Sequence, residues 1–207
     1  MSAQPARRGR GRPHAASREV VEQAAIALMQ RDGYENVTVD AIVSAAGIGR
    51  TTFFRYFRSK PGVIWYAFDD TIARLSREID AAEPGANPLD VVRAAVVVST
   101  RDAIYDSDVW LERFKLLDTV AELRAESYEH WEGWKRVITG YLAGVLGGLP
   151  DSTVPMVVAG AFHGGFVAQL RGWLQVDDDR AAFVARLDES LRLVASVLGP
   201  LFRTDAP

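Results

Sequence analysis

Cysteine is absent from the 207-residue sequence, and histidine occurs only three times. Without cysteine the protein can form neither a disulfide framework nor a thiolate metal site. The histidines, at positions 14, 130 and 163, are scattered, and no neighbours complete a Ser-His-Asp arrangement or a metal site around them. We therefore expect no metal, no other cofactor and no enzyme activity.

Long apolar runs are also missing. No segment has the roughly 18 uninterrupted apolar residues of a membrane span, and the N-terminal stretch lacks the apolar segment of a signal peptide. Alternating apolar and polar runs bounded by turn residues are absent as well, which argues against a β-sheet. The sequence thus predicts an all-α protein in the cytoplasm, with no membrane partner.

The net charge of −3 is unevenly distributed along the chain. Residues 1–60 hold ten of the 24 Lys and Arg and five of the 27 Asp and Glu, a net charge of +5. This leaves 14 cations and 22 acids, a net charge of −8, for the remainder. Such asymmetry indicates an end that binds a polyanion, joined to a body with another purpose.

Capping residues and apolar residues at helical spacing predict about nine helices. Ser17 and Gly33 bound the first helix, Thr38 and Gly47 bound a short second one, and a third covers Arg50–Phe57. The other six are expected at about residues 60–82, 88–105, 107–118, 120–146, 151–176 and 179–202, with Ser59, Asn87 and Ser107 as N-caps.

The stretch GIGRTTFFRYFRSK, residues 47–60, combines four cations with three phenylalanines and a tyrosine. Two short helices joined by a glycine-containing turn, the second of them basic, are typical of a helix-turn-helix. The cations and hydroxyls of the second helix would then face DNA. The apolar side chains expected to fix the angle between the helices are those of Ile42, Ala46, Ile48, Phe53 and Phe57.

With these features VTVDAIVSAAGIGRTTFFRYFRSKPGVIWYAF, residues 37–68, resembles the TetR family of one-component transcriptional regulators. The shared elements are the Thr-capped second helix, the Ala-Gly turn, the aromatic-rich recognition helix and the Ser-Lys start of the fourth helix. The resemblance implies a ligand-responsive repressor that binds a palindromic operator in double-stranded DNA as a homodimer and is released by a small lipophilic effector. The alternative, a ligand that promotes DNA binding, would use the same parts.

The resemblance also places side chains of the recognition helix near the major groove. Arg50 and Arg55 are expected to contact guanine edges, and Thr52 and Tyr56 carry hydroxyls suited to phosphate or base. A phosphate resting on the start of the fourth helix would meet Lys60. The expected DNA-binding residues are Thr38, Gly49, Arg50, Thr51, Thr52, Phe54, Arg55, Tyr56 and Lys60.

Three positions depart from the family pattern. Gly49 stands where serine is frequent, Val43 where alanine is frequent and Phe54 where tyrosine is frequent. The N-terminal arm offers further contacts, because extended arginines fit a narrow A·T-rich minor groove. In its RGRGRP stretch we expect Arg8, Arg10 and Arg12 to contact DNA; the alternative is a solvated tail.

The acidic body is expected to bind an effector and to form the dimer. The expected domains are therefore an arm at 1–16, a helix-turn-helix domain at 17–62 and an effector and dimerisation domain at 63–207. In the last two helices two stripes are predicted to form half of a four-helix bundle with the partner; the alternative is that both are buried within one subunit. They are Gly160, Gly164 and Ala168, and Leu187, Leu191, Val194 and Leu198.

Aromatic residues of the body indicate where the effector binds, although a core is lined in the same way. The expected pocket residues are Trp110, Phe114, Leu117, Tyr128, Trp131, Trp134, His163 and Phe166. The YEHWEGWKRVITGYL and RGWL stretches resemble the regulators of mycofactocin gene clusters. That resemblance implies a long-chain acyl-CoA effector, with its chain in an apolar tunnel and its phosphates at Arg113, Arg124 or Arg171. The tryptophans are equally consistent with an aromatic compound.

Two alternatives use fewer of these features. A constitutive architectural DNA-binding protein would need only the arm and the helix-turn-helix, and the size of the aromatic body argues against it. A binding module that does not contact DNA would lack the steep salt dependence that phosphate contacts produce.

Overall fold

The structure, a computed structural model, describes residues 16–176 and 179–202, and this part of the chain contains nine α-helices, two 3-10 helices and no strand. The predicted all-α class is confirmed. The chain divides into two compact units, one ending at Arg58 and the other beginning at Ser59.

The first unit is a small helical domain. It consists of α1 (Arg18–Asp32), a 3-10 turn (Tyr34–Asn36), α2 (Val39–Ala46) and α3 (Arg50–Phe57). The predicted caps are confirmed: the Ser17 side chain accepts from the Val20 N–H, and the Thr38 side chain accepts from the Ala41 N–H. Gly47 ends α2 with φ 64, a left-handed conformation that glycine adopts without strain.

Apolar side chains fix α3 within this unit. Phe53 and Phe57 are buried with their ring centroids 5.5 Å apart, and Ile42 of α2 is buried as well. From α1, Val21 and Ile26 complete the core. One face of α3 is buried in this core, and its other face is exposed.

The second unit contains the remaining helices. They are α4 (Lys60–Asp80), α5 (Pro88–Tyr105), α6 (Trp110–Thr119), α7 (Ala121–Leu146), α8 (Thr153–Gln175), α9 (Arg180–Leu198) and a 3-10 helix (Gly199–Phe202). Within the unit, α4 packs against α5 and α7, α5 packs against α9, and α8 packs against α7 and α9. Three caps are side chains that accept backbone N–H groups, those of Ser59, Asn87 and Asp179.

The prediction that Ser107 caps α6 is wrong. The helix begins three residues later, at Trp110, and its N-cap position is held by Val109 without a side-chain hydrogen bond. The Ser107 hydroxyl instead accepts from Arg113 Nη2 at 3.2 Å. A side chain further along the helix therefore competes for the oxygen that the sequence pattern assigned to the cap.

Helix α8 is long and apolar enough, by length and composition alone, to cross a membrane, which the sequence analysis did not expect of any segment. In the structure one face of the helix, including Phe162, Phe166 and Trp173, is buried in the core of the second unit. A Cβ at Gly165 would lie only 3.2 Å from Leu191 Cδ2, so this glycine allows the close approach of α8 and α9. These contacts place one face of α8 in the core of the unit, and 33% of its apolar 18-residue window is buried.

Candidate DNA-binding helix and effector cavity

The face of α3 that is not buried carries the predicted DNA-binding side chains. Arg50, Thr51, Phe54 and Arg55 are exposed, and Thr52 is half-buried. Phe53 and Phe57, on the opposite face, are buried in the core. They fix the position of the helix and of its exposed side chains. A short basic helix presented in this way has the shape and charge that fit a major groove.

Arg50 is held by two neighbours within the first unit. Its Nη1 lies 2.5 Å from Asp40 Oδ1 on α2. Its guanidinium carbon also lies 5.7 Å from the centre of the Phe54 ring. Sequence reasoning did not identify Asp40 as a partner of a predicted base-contacting arginine, because ten residues and a turn separate the two positions.

Tyr56 connects α3 to the chain segment before α1. Its hydroxyl donates to the Ala16 carbonyl oxygen at 3.2 Å, and its own carbonyl oxygen accepts from Arg18 Nη2 at 2.8 Å. Tyr56 is half-buried, so this predicted DNA contact also has a structural role. The predicted arm contacts Arg8, Arg10 and Arg12 lie outside the described residues.

The remaining predicted DNA contacts lie at helix ends. Thr38 and Gly49 are exposed at the N-caps of α2 and α3. Arg58 follows α3 with φ 62, which is rare for a residue with a side chain, and is exposed. Lys60, half-buried, is the first residue of α4 and belongs to the second unit.

The second unit encloses two adjoining cavities. The inner cavity is the more enclosed of the two and its walls are mostly apolar, with a volume of about 20 Å³. It lies among α4, α6, α7 and α8 and is lined by Phe68, Thr71, Trp110, Arg113, Phe114, Leu117, Trp131, Phe166 and Leu170. Five of the predicted pocket residues, Trp110, Phe114, Leu117, Trp131 and Phe166, are therefore brought together around one space.

The outer cavity has a volume of about 150 Å³ and shares Phe114, Leu117 and Trp131 with the inner one. Its other walls carry charge: Arg171 Nε lies 3.0 Å from Asp118 Oδ1, and Arg124 lines the same space. The two cavities thus form an apolar interior that continues into a cationic outer part. The complete lining of the outer cavity is Trp65, Phe114, Leu117, Asp118, Arg124, Ser127, Trp131, Val167 and Arg171.

Trp65 is a cavity residue that sequence reasoning missed. It lies on α4, is only 2% exposed and lines the outer cavity. Its ring stacks on His130 of α7 with centroids 4.0 Å apart and an interplanar angle of 6°. His130 Nδ1 in turn lies 2.8 Å from Asp69 Oδ1. Helical spacing indicates that Trp65 is buried but does not identify the space that it lines.

The other predicted pocket residues lie outside both linings. Trp134 and His163 contact Trp131, with ring centroids 6.3 Å and 4.5 Å from that of Trp131. Burial lowers the pKa of His163, an effect that Lys135 strengthens and Glu132 opposes. Tyr128 is 71% exposed and lines neither cavity.

A wider cleft of about 740 Å³ lies between the end of α4, the loop that follows it and α7. Small and polar residues, among them Gly85, Gly140 and Arg136, make up much of its lining. The cleft is broad and open, so it provides less of the apolar enclosure that buries a lipophilic ligand. We therefore place the candidate effector site in the two adjoining cavities.

The two stripes predicted for the dimer differ in exposure. Gly160, Gly164 and Ala168 are exposed, and a Cβ at either glycine would have no neighbouring atom within 4 Å. On α9, Leu187 and Leu191 are fully buried in the core of their own subunit, whereas Val194 and Leu198 are half-buried. The exposed apolar side chains of α9 are instead those of Leu193 and Val197, at 66% and 68%.

Two protein families match the chain over these regions. Residues 23–64 match the family described as bacterial regulatory proteins, tetR family. Residues 86–199, more than half of the chain, match the MftR C-terminal domain. The first match covers α2 and α3 with most of α1, and the second covers α5 to α9.

Individual proteins agree with the family matches. A protein of Mycobacterium tuberculosis that bears the name mycofactocin biosynthesis transcriptional regulator MftR is 28% identical over 191 residues, covering 92% of this chain and 96% of its own. Two solved structures share the fold. FadR from Bacillus subtilis, in complex with stearoyl-CoA, has a TM-score of 0.60 at 18% identity and covers 86% of this chain and 97% of its own. SmeT of Stenotrophomonas maltophilia, in complex with triclosan, has a TM-score of 0.61 at 17% identity and covers 87% and 90%.

Proposed function

The chain belongs to the TetR family of bacterial regulatory proteins, and we propose that it is a cytoplasmic repressor that binds a palindromic operator as a homodimer and is released by a small lipophilic effector. The domains implied are an arm at 1–16, a helix-turn-helix domain at 17–62 and an effector and dimerisation domain at 63–207. Residues of the second and third of these domains support the steps of this function.

The observation that carries the proposal is the exposed face of α3. Arg50, Thr51 and Arg55 project from a short helix whose other face is buried. Arginine presents two donors to the O6 and N7 acceptors of guanine, and exposed Phe54 supplies an apolar surface for a thymine methyl group. Thr38 and Lys60, near helix N-termini, are suited to phosphate.

The outer faces of α8 and α9 support the homodimer. Gly160 and Gly164 leave open space for the backbone of a neighbour, and Leu193 and Val197 expose apolar area. Because Leu187 and Leu191 are buried within the subunit, we assign the α9 contribution to Leu193 and Val197, with Val194 and Leu198 at the margin. Two copies meeting on these faces would form a four-helix bundle.

The two cavities favour an effector with an anionic head and an apolar chain. Arg124 and Arg171 line the outer cavity, where phosphates of an acyl-CoA would find cations. Beyond them lie the aromatic walls of the inner cavity, where an acyl chain would be removed from water. A neutral aromatic compound would use the aromatic walls but leave the arginines without a role.

The small inner volume supports a mechanism of release. A chain of many methylene groups does not fit in about 20 Å³, so its entry requires α4, α6, α7 and α8 to separate. The effector would therefore bind preferentially to an expanded state and shift the population toward it. Since α4 starts two residues after the first unit ends, its displacement would move the recognition helices away from the spacing of about 34–36 Å that an operator requires.

The experiment that tests this function begins with selection of the purified protein against random duplex DNA. We expect enrichment of a palindrome with half-sites about one helical turn apart. Enrichment of A·T content alone would instead support the architectural alternative, in which the arm dominates. Stearoyl-CoA and triclosan would then be titrated into the operator complex, and release by stearoyl-CoA at the lower concentration is expected.

A further inference from the structure

Trp65 carries a buried polar group without a hydrogen-bond partner in the described part of the structure. The residue is 2% exposed, yet its indole Nε1 has no acceptor within hydrogen-bond distance. Buried donors are normally paired, and an orphan in a native structure indicates a water, an ion or a ligand that completes it. The ring that bears this donor lines the outer cavity.

Two ring side chains contact the ring of Trp65. His130 stacks on it at 4.0 Å, and the ring of Phe68 meets it edge-on at 5.7 Å. His130 is itself held by Asp69, at 2.8 Å from Nδ1 to Oδ1. An indole fixed in this way loses little side-chain entropy when its N–H donates to a ligand.

Two other neutral side-chain donors line the outer cavity, the Ser127 hydroxyl and the Trp131 indole. The Ser127 hydroxyl donates to the Arg124 carbonyl oxygen at 2.6 Å. Arg171 is paired with Asp118. Trp131 is half-buried, so the Trp65 indole is the buried neutral donor of this lining that has no acceptor among the described residues.

We propose that the Trp65 indole N–H donates to an uncharged acceptor oxygen of the effector, the thioester carbonyl of an acyl-CoA, and that Trp65 determines specificity for this group. The proposal rests on the proposed function, since it concerns the same site. In such a ligand the carbonyl lies between the phosphates and the hydrocarbon chain. Trp65 has the corresponding neighbours, with Arg124 and Arg171 on the walls of its cavity and Phe114 and Trp131 shared with the apolar interior.

The test compares two ligands that differ at one group. Stearoyl-CoA carries the thioester carbonyl, and S-octadecyl-CoA replaces it with a methylene group. Binding of each to the full-length dimer would be measured by calorimetry for wild type, Trp65→Phe and Trp131→Phe. The phenylalanine at position 65 keeps an aromatic ring against His130 and removes the N–H.

We expect wild type to prefer the thioester by about three- to tenfold, the range of a single net hydrogen bond. Trp65→Phe should bind both ligands with equal affinity. Trp131→Phe removes the other indole N–H of the same cavity. It should weaken both ligands by a similar factor and keep the preference, whereas loss of the preference in this variant would assign the donor to Trp131. An unchanged preference in Trp65→Phe would overturn the role of Trp65 while leaving the lipophilic-effector function intact.

A second measurement needs no variant. With ¹⁵N-labelled tryptophan, the Trp65 indole proton should move downfield on addition of stearoyl-CoA and not on addition of S-octadecyl-CoA. Equal shifts with both ligands would overturn the proposed hydrogen bond. If wild type binds neither ligand, both the acyl-CoA effector and the role of Trp65 are refuted. This outcome differs from binding of both ligands without a preference, which would refute the role of Trp65 alone.

Discussion

Arg50 and Asp40 form an ion pair across the turn between α2 and α3, with Arg50 Nη1 2.5 Å from Asp40 Oδ1. Their side chains are 58% and 70% exposed, so water screens the attraction. Exposed pairs of this kind contribute about 0–1 kcal/mol. The contact therefore orients the arginine, and it is weak enough to be exchanged for the guanine contact that we propose for Arg50.

Replacement of Asp40 should strengthen DNA binding. In Asp40→Asn the carboxylate that competes with DNA for Arg50, and repels phosphates, is removed. We expect the affinity for every duplex to rise by about two- to fivefold, because about 0.4–1 kcal/mol is no longer needed to break the ion pair before DNA binds. Fluorescence anisotropy measures the affinity for the selected operator and the affinity for a scrambled duplex. Asp102→Asn, which breaks the exposed pair with Arg101 in the second unit, is the matched control and should have no effect.

Arg55 and Lys60 should differ in the kind of DNA contact that they lose. Arg55→Ala should cost about 1–3 kcal/mol at one base position and relax specificity there, because a base edge loses its donors. Lys60→Ala should weaken all sequences alike and reduce the salt slope by about one. Affinities for a set of operators with single base changes separate the two patterns.

The matched control for these arginine and lysine variants is Arg101→Ala, which removes an exposed cation of the second unit. It should leave every operator affinity unchanged. Equal losses on all sequences for both Arg55→Ala and Lys60→Ala would contradict direct readout by Arg55.

A substitution of Leu193 tests the dimer surface that we propose on α9. Leu193→Glu places a charge on an apolar face, which should weaken the dimer by about 2–4 kcal/mol, or roughly 30- to 1,000-fold in Kd. Sedimentation equilibrium measures the change. The control is Tyr105→Glu, which changes another exposed side chain, at the end of α5, and should leave the dimer intact. A stable Leu193→Glu dimer would show that the subunits associate through a different face.

His163 should make stability depend on pH. Because burial lowers the pKa of His163 in the folded protein, the unfolded chain binds its proton first as the pH falls. The free energy of unfolding should therefore decrease from about pH 7 downward, through the unfolded pKa near 6.5, until the folded pKa is reached. Urea titrations should show a shallower decrease for His163→Gln. Identical pH profiles for wild type and variant would mean that His163 titrates normally.

Local sequence features predicted much of the helical fold. Ser17, Thr38, Ser59 and Asn87 are followed by helical patterns, and each side chain accepts the backbone hydrogen bonds that define a cap. Such contacts depend on residues within one turn, so the sequence contains the information needed to predict them. Ser107 failed as a cap because its oxygen is taken by Arg113, a contact that local propensity does not include.

Long-range packing limited the prediction of the sites. The stripe of Leu187 and Leu191 is apolar at helical spacing, but periodicity does not say whether a helix of the same subunit or of a partner covers it. Tyr128 shares a helix with Trp131 yet faces solvent, because only some faces of α7 meet neighbouring helices. The roles of Trp65 and Asp40 follow from contacts between helices, which one sequence does not display.

The small free volume of the inner cavity would make the second unit sensitive to the hydrocarbon length of the proposed effector. Because only about 20 Å³ is free, each added methylene group of a bound chain would displace packed side chains. Short chains would displace few side chains and move α4 little, and long chains would move it more. Within a homologous series of ligands, the degree of derepression would then rise with chain length more steeply than the affinity does.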